Sequence, residues 1–234
     1  MYKFIILILS AFLFYSCENI NGSGHIKTER RNVGAFNGVQ ASGSMDIEVS
    51  NGENASIEIE GDDNILPYIV TDVDGGLLDI YFKPHFSFSN IHAKIFVTAP
   101  NLNRLSVRGS GNINGRNTIH NDRSISTSIS GSGNIDADVD APDVQADIAG
   151  SGNLQLQGRC KNFKASISGS GDLKCSDLLS ESTEVSIMGS GNAHVYSSVR
   201  LKASTTGSGD IFYRGNPSSP EISRMGSGNV VAEK

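Results

Sequence analysis

The tetrapeptide Gly-Ser-Gly-Asn/Asp recurs seven times in the second half of the chain. The copies begin at Gly109, Gly131, Gly150, Gly169, Gly189, Gly207 and Gly226, so the interval is 18 to 22 residues. A repeat of this length predicts a solenoid, in which each repeat forms one coil that packs only against its neighbours. The related sequence Gly43-Ser44-Met45-Asp46 predicts that the same element opens the N-terminal part.

The residues around each tetrapeptide have the pattern of short β-strands. Before it, apolar and small polar residues alternate, as in residues 126–130, and this period of two predicts strands with one buried face. The position after the Asn or Asp is apolar in every copy: Ile113, Ile135, Leu154, Leu173, Ala193, Ile211 and Val230. We therefore predict an all-β fold, a right-handed parallel β-helix (β-solenoid) with coils of about 19 residues. The Asn/Asp positions should form a side-chain ladder from coil to coil.

Residues 33–105 are β-rich but carry less of the repeat. Residues 45–49 and 55–60 alternate around Asn51-Gly52, which predicts a hairpin or a tight turn, and residues 77–82 and 95–97 predict further strands. We expect this region to form the irregular first coils of the same solenoid, with a separate small sheet as the alternative. Residues 106–234 form the repeat coils, and Arg224 in an apolar position predicts that the last coil is a cap.

The first residues have the features of an export signal. Lys3 precedes an apolar run of about 11 residues, which is too short to cross a bilayer and is typical of a signal peptide over residues 1–16. Leu13-Phe14-Tyr15-Ser16-Cys17 resembles a bacterial lipoprotein cleavage site, so Cys17 is the predicted lipidation site. An ordinary secretory signal with an incidental cysteine is the alternative. Residues 17–32 are predicted to be a flexible polar linker.

The signal sequence with Cys17, the β-rich opening and the serial Gly-Ser-Gly-Asn/Asp motif over residues 33–234 resemble a bacterial family of auto-transporter adhesins with a head GIN domain. The resemblance implies an exported β-helical protein from a family without an established biochemical function. Our leading hypothesis is a non-enzymatic, lipid-anchored adhesin or binding scaffold of the cell envelope. It would sit at the outer membrane and face either the periplasm or the outside. The alternatives are a carbohydrate-binding or polysaccharide-cleaving β-helix and a periplasmic small-ligand-binding protein.

Composition and motifs exclude several other functions. A formal net charge of −6 without a long basic stretch argues against nucleic acid as a partner. The glycine-rich turns lack the lysine of a phosphate-binding loop, and the five histidines have no metal-ligand spacing. Outward strand positions are mostly Ser, Thr, Asn and Gln, so we predict neither catalysis nor a cofactor. The expected partners are the membrane, through the lipid, and a glycan or an envelope protein.

Three sets of residues are candidate sites. Asp136, Asp138 and Asp140 should share one outward strand face, where they form either a weak cation site or a solvated surface. Phe86 and Phe88 interrupt the strands in a polar segment, and they form either a contact patch for a partner subunit or sugar, or a cap on the core. Cys175 occupies a buried column, and a disulfide to Cys160 and two free thiols are both open.

Overall fold

The structure is a computed structural model that describes residues 18–233, of which 68% lie in strands. The predicted signal peptide and Cys17 lie outside the described residues. About seven stacked turns form a β-solenoid with coils of about 19 residues, which confirms the predicted architecture. The right-handed winding stays a prediction. Among residues 18–233 no helix has the length and apolar character that crossing a bilayer requires.

Face A of the solenoid is the ladder of strands that precede the glycine turns. Its members pair in parallel, so that equivalent residues of successive coils lie side by side, as Val107, Ile129 and Ile148 do. The strands that contribute are β3 (Gly38–Gly43), β7 (Leu77–Phe82), β10 (Arg104–Gly109), β13 (Ser124–Gly131), the second halves of β14 (Asn134–Gly150) and β15 (Asn153–Gly169), β17 (Leu178–Gly189), β19 (Arg200–Gly207) and β21 (Glu221–Gly226).

Face B is the ladder of strands that follow the glycine turns. The first halves of β14 and β15 belong to it, and these two long strands continue around the coil into face A. The other members are β4 (Asp46–Asn51), β9 (Ala93–Ala99), β11 (Asn112–Gly115), β16 (Asp172–Cys175), β18 (Ala193–Tyr196), β20 (Ile211–Arg214) and β22 (Val230–Ala232). A short third side begins at β12 (Ile119–His120), which pairs with Val139 and Asp140.

Antiparallel strands cover the N-terminal end. On face B, β5 (Ser56–Asp62) pairs with β9 and β2 (Ile26–Arg31) pairs with β5; on face A, β6 (Ile69–Asp74) pairs with β7. The 3₁₀ helix Leu66–Tyr68 connects β5 to β6. The hairpin expected around Asn51-Gly52 is wrong, because β9 lies between β4 and β5 and pairs with both. These strands join the sheet of the repeat coils.

The predicted flexible linker over residues 17–32 is also wrong for its described part. β1 (Glu18–Asn21) pairs in parallel with β8 (Phe86–Ser89) to form a separate two-stranded sheet, and β2 follows four residues later. The composition of this segment is polar, but its backbone groups pair with residues 26 to 68 positions away in sequence. Sequence reasoning missed these pairings because both partners are distant in sequence.

Each Gly-Ser-Gly turn is held by the turn before it. The amides of Ser132 and Gly133 both donate to the carbonyl oxygen of Gly109, at 2.8 and 3.0 Å, and the other copies repeat this pattern. The first glycine has a φ of +119° to +139° in the seven copies, where other residues are strained. A Cβ on the second glycine would lie only 2.0 to 2.2 Å from a backbone oxygen of the preceding coil. We call these seven turns the glycine corners.

Candidate functional site

A hydrogen-bonded ladder of Asn and Asp side chains runs along face B, directly after the glycine corners. The carboxamide of Asn112 donates to Asp46 at 2.6 Å, and Asn134 donates to Asn112 at 2.7 Å. Asn153, Asn192 and Asn229 continue the pattern by donating to Asn134, Asp172 and Asp210 at 2.9, 3.2 and 3.2 Å. The predicted Asn/Asp ladder is therefore confirmed, and Asn192 separates the carboxylates of Asp172 and Asp210.

The ladder forms one wall of a concavity of about 680 Å³ that crosses several coils, which we call the face-B groove. Two residues beyond each ladder position, a second outward side chain completes the lining. The outward polar and charged residues that line the groove are Asp46, Glu48, His92, Lys94, Asn112, Asn114, Asn134, Asp136, Asn153, Gln155 and Lys174. Such a surface offers carboxamide donors and acceptors and charges of both signs. The sequence identifies the ladder but misses Glu48, Lys94, Gln155 and Lys174, which only the coil register brings together.

The three predicted aspartates do share the outward side of β14. Asp136 faces the groove, Asp138 accepts a hydrogen bond from Thr118 at 3.2 Å, and Asp140 lies 3.5 Å from Arg159. Across residues 18–233 no group of three or more His, Cys, Asp or Glu side chains is arranged to hold a metal ion. Asp138 and Asp140 thus make side-chain contacts between coils, and the weak cation site stays a prediction.

The glycine corners do not offer a phosphate-binding loop. A phosphate loop binds through free backbone N–H groups that converge on the anion. At each corner the amides of the serine and the second glycine are both taken by the carbonyl of the preceding coil. The structure thus gives the physical reason for the sequence argument against phosphate binding.

A second concavity, of about 700 Å³, lies on face A near the N-terminal end, and we call it the face-A hollow. Asp72 and Asp79 are direct neighbours across the antiparallel pair of β6 and β7. Asp79 accepts a hydrogen bond from Ser42 at 2.7 Å, and Arg108 lines the same hollow. Sequence analysis did not single out these residues, because their proximity depends on the antiparallel strand β6.

Phe86 and Phe88 have different surroundings although they are two residues apart. The Phe88 ring lies 4.5 Å from that of Phe82, between centroids, and packs against the core. The Phe86 ring packs edge to face with that of Tyr68, at 4.7 Å between centroids. Phe86 is not among the side chains that pack against the core. Phe88 thus matches the cap hypothesis, whereas Phe86 is left for the contact hypothesis.

The two described cysteines are free thiols. Cys175 is fully buried in the column of Val195, as the sequence predicts, and burial raises the pKa of its thiol. Burial is also the main reason that the pKa of Cys160 is raised to about 12, with a further contribution from the charge of Asp143. Neither thiol is activated as a nucleophile, because both pKa values move away from neutral pH.

Comparison with known proteins places this architecture in a group of solved structures. A putative adhesin from Bacteroides fragilis has a TM-score of 0.87 at 24% identity, covering 92% of this chain and 100% of that one. A putative lipid binding protein from Parabacteroides distasonis has a TM-score of 0.78 at 26% identity, over 93% and 100%. A putative adhesin from Parabacteroides merdae has a TM-score of 0.74 at 22% identity, over 93% and 100%.

None of the curated proteins matches the sequence. Residues 35–217 match the family described as "Putative auto-transporter adhesin, head GIN domain", which is the family that the repeat motif resembles. The match covers most of the chain, from β3 to β20, and it includes the face-B groove and most of the repeat coils. The chain therefore belongs to this family.

Proposed function

We propose that the chain is a non-enzymatic, lipid-anchored adhesin of the bacterial cell envelope, which binds a polymeric glycan along its face-B groove. Family membership supports an adhesin-like envelope protein. The cleavage-site pattern that ends at Cys17 supports the lipid anchor, and its acyl chains would hold the protein at the outer membrane.

The observation that carries the glycan assignment is the regular spacing of carboxamides along the groove. Equivalent side chains of successive coils are about 4.8 Å apart, so the groove presents the same hydrogen-bonding group at short, even intervals. Sugar hydroxyls both donate and accept, and carboxamides and carboxylates can satisfy both roles. Gln155 and Lys174 are neighbours in register on this surface, and the groove extends over several coils rather than enclosing one small molecule.

A glycan-binding comparison between faces tests this proposal. We expect the full chain to bind immobilised polysaccharides, and the double change Gln155→Ala and Lys174→Ala to weaken binding at least about tenfold, as the loss of two or more hydrogen bonds predicts. Lys164→Ala, on face A, is the matched control and should bind as the wild type does. Equal binding by the two variants, or no binding to any glycan, would contradict the proposal.

Polysaccharide cleavage is the second candidate, and the face-A hollow is the observation that favours it. Glycoside hydrolysis uses two carboxyl groups that flank the scissile bond, and Asp72 and Asp79 are neighbouring carboxylates in an open concavity. Reducing-end release from soluble polysaccharides, lost on Asp79→Asn, would favour this enzyme over an adhesin. No release with retained binding is the result that we expect.

The anchor has a separate test. Mass spectrometry of the membrane-extracted protein should find acyl chains on Cys17, and none after Cys17→Ala. An unmodified Cys17, or acylation that survives the substitution, would remove the anchor from the proposal and leave the groove assignment standing.

A further inference from the structure

The strand that follows the predicted anchor is fastened beside an irregular corner of the solenoid. The repeat coils pass from face A to face B through a glycine corner. The coil formed by β7 and β9 makes the same passage with residues 83–92, which we call the long corner. β8 lies in the long corner and pairs with β1, so that Glu18 is the partner of Phe86. Neighbouring strands lie about 4.8 Å apart, so the described chain begins, at Glu18, directly beside Phe86.

The pairing of β1 with β8 fixes the chain to the solenoid from Glu18 onward, directly after the predicted anchor. Asn19 donates to Ser89 at 3.2 Å, and Asn64 donates to the carbonyl of Asn21 at 2.8 Å. Three residues beyond β1, Gly24 donates its amide to the buried carboxylate of Asp62 at 2.7 Å. Acyl chains on Cys17 would therefore bring this end of the solenoid to the bilayer surface.

The surface around the long corner has the chemistry of a bilayer interface. The rings of Phe86 and Tyr68 pack edge to face, and the Lys83 ammonium lies 5.7 Å from the centroid of the Tyr68 ring. Lys83, Pro84 and His85 are exposed, whereas Phe86 and Tyr68 are half-buried. Tyrosine and phenylalanine at the headgroup level, with a lysine that reaches the lipid phosphates, are typical of proteins that rest on a membrane.

We infer that the long corner docks on the lipid bilayer, with Tyr68, Lys83 and Phe86 as its contact residues. This inference rests on the proposed lipidation of Cys17 and extends it, since a lipid alone gives attachment but no fixed orientation. Docking turns the N-terminal end of the solenoid toward the membrane. The later repeat coils then project away from it, so that the face-B groove begins at Ile91 and His92 of the long corner and extends away from the bilayer.

The absence of tryptophan from the sequence permits a direct test. Phe86→Trp places one fluorophore in the long corner. In a separate protein, Tyr68→Trp places one fluorophore directly beside it. Phe212→Trp is the matched control, because Phe212 is an aromatic residue near the other end of face B, stacked on His194 at 4.7 Å between ring centroids. The full acylated chains are reconstituted into vesicles of phosphatidylcholine and phosphatidylglycerol in equal parts, with and without brominated acyl chains.

We expect brominated lipid to remove about half of the emission of the Phe86→Trp and Tyr68→Trp proteins, since interfacial side chains lie about 5–10 Å into the headgroup and acyl boundary. The Phe212→Trp protein should lose almost none. Acylated protein without quenching at either long-corner position would overturn the docking and leave the anchor intact. A chain without acyl groups would overturn both. Emission that changes with protein density but not with bromination would show that a second copy occupies the patch, and would also overturn the inference.

Discussion

The glycine corners and the long corner join the same two faces of one solenoid in opposite ways. At a glycine corner, the amides of the serine and the second glycine bond to a backbone carbonyl of the preceding coil. At the long corner, side chains add to the backbone pairing of β8 with β1: Phe88 packs on the core, and Asp62 accepts the amide of His92 at 2.6 Å. A repeated turn is stabilised by hydrogen bonds to the equivalent turn of the next coil. A turn without an equivalent neighbour also needs contacts with side chains.

Met45 marks the boundary between these two kinds of corner. It occupies the place of the second glycine in Gly43-Ser44-Met45, and it is buried with 1% of its surface exposed. A Cβ is tolerated there because the neighbouring coil, formed by β7 and β9, has the long corner at this place. No Gly-Ser-Gly backbone therefore lies against Met45. The divergent first copy of the motif therefore has a packing reason.

The largest effect should come from breaking a glycine corner. In Gly133→Ala the new Cβ would lie 2.0 Å from the carbonyl oxygen of Gly111 and 2.6 Å from Val107. The preceding backbone must shift and lose its hydrogen bonds, so we expect the free energy of unfolding to fall by about 3 kcal/mol. Urea denaturation followed by circular dichroism measures it.

Gly34→Ala is the control for this substitution, because a Cβ on Gly34 would have no atom within 4 Å. Its free energy of unfolding should stay within about 0.5 kcal/mol of the wild type. A Gly133→Ala protein as stable as the Gly34→Ala protein would show that the corners are more yielding than their backbone packing indicates.

The next effect concerns the attachment of the long corner through Asp62. This side chain has 1% of its surface exposed and accepts the amides of Gly24 and His92. Asp62→Ala leaves both amides without their acceptor, which should cost about 2 kcal/mol. Hydrogen exchange should accelerate at Gly24 and His92 and stay unchanged at the glycine corners.

Asp63→Ala separates burial from charge at the neighbouring position. Asp63 accepts from Ser23 at 2.7 Å and pairs with Lys27 at 3.2 Å, and the Ser23 hydrogen bond is the main reason that its pKa is lowered. Because water can replace these partners, the exchange rates of Gly24 and His92 should change little. If both substitutions loosened the N-terminal end equally, the special role of Asp62 would be disproved.

The same contrast explains how far the sequence predicts the structure. Repeated features are predictable because their partners lie one period away: the ladder of Asn112 and Asn134 and the buried column of Cys175 follow from alignment of the copies. The long corner, β1 and the face-A hollow depend on pairings between single segments far apart in sequence, such as Glu18 with Phe86. No period relates those segments, so composition alone predicted a flexible linker where the structure has strands.

The smallest effect concerns the thiols of Cys175 and Cys160 in the repeat coils. Unlike the carboxylate of Asp62, they act through the pH dependence of stability. Burial raises the pKa of Cys175, so the folded state keeps this thiol protonated at pH values at which the unfolded chain ionises. The stabilisation is complete below the thiol pKa of the unfolded chain, near 8.5, and declines as the pH rises above it. Between pH 8 and pH 9 the wild type should therefore lose about 0.7 kcal/mol more of its free energy of unfolding than Cys175→Ala does.

Cys160→Ala is the comparison for that measurement. Its thiol is half-buried and its pKa is raised to about 12, mainly by burial, so it should contribute to the same alkaline decline. The contribution should be no larger than that of Cys175, because solvent reaches Cys160 and screens the charge of its thiolate. Urea denaturation of the three proteins at both pH values tests this order. If the wild type and the Cys175→Ala protein had the same pH dependence, water would have to reach the core of the repeat coils. The contrast between repeat coils that exclude water through backbone packing and an N-terminal end that depends on side-chain contacts would then be wrong.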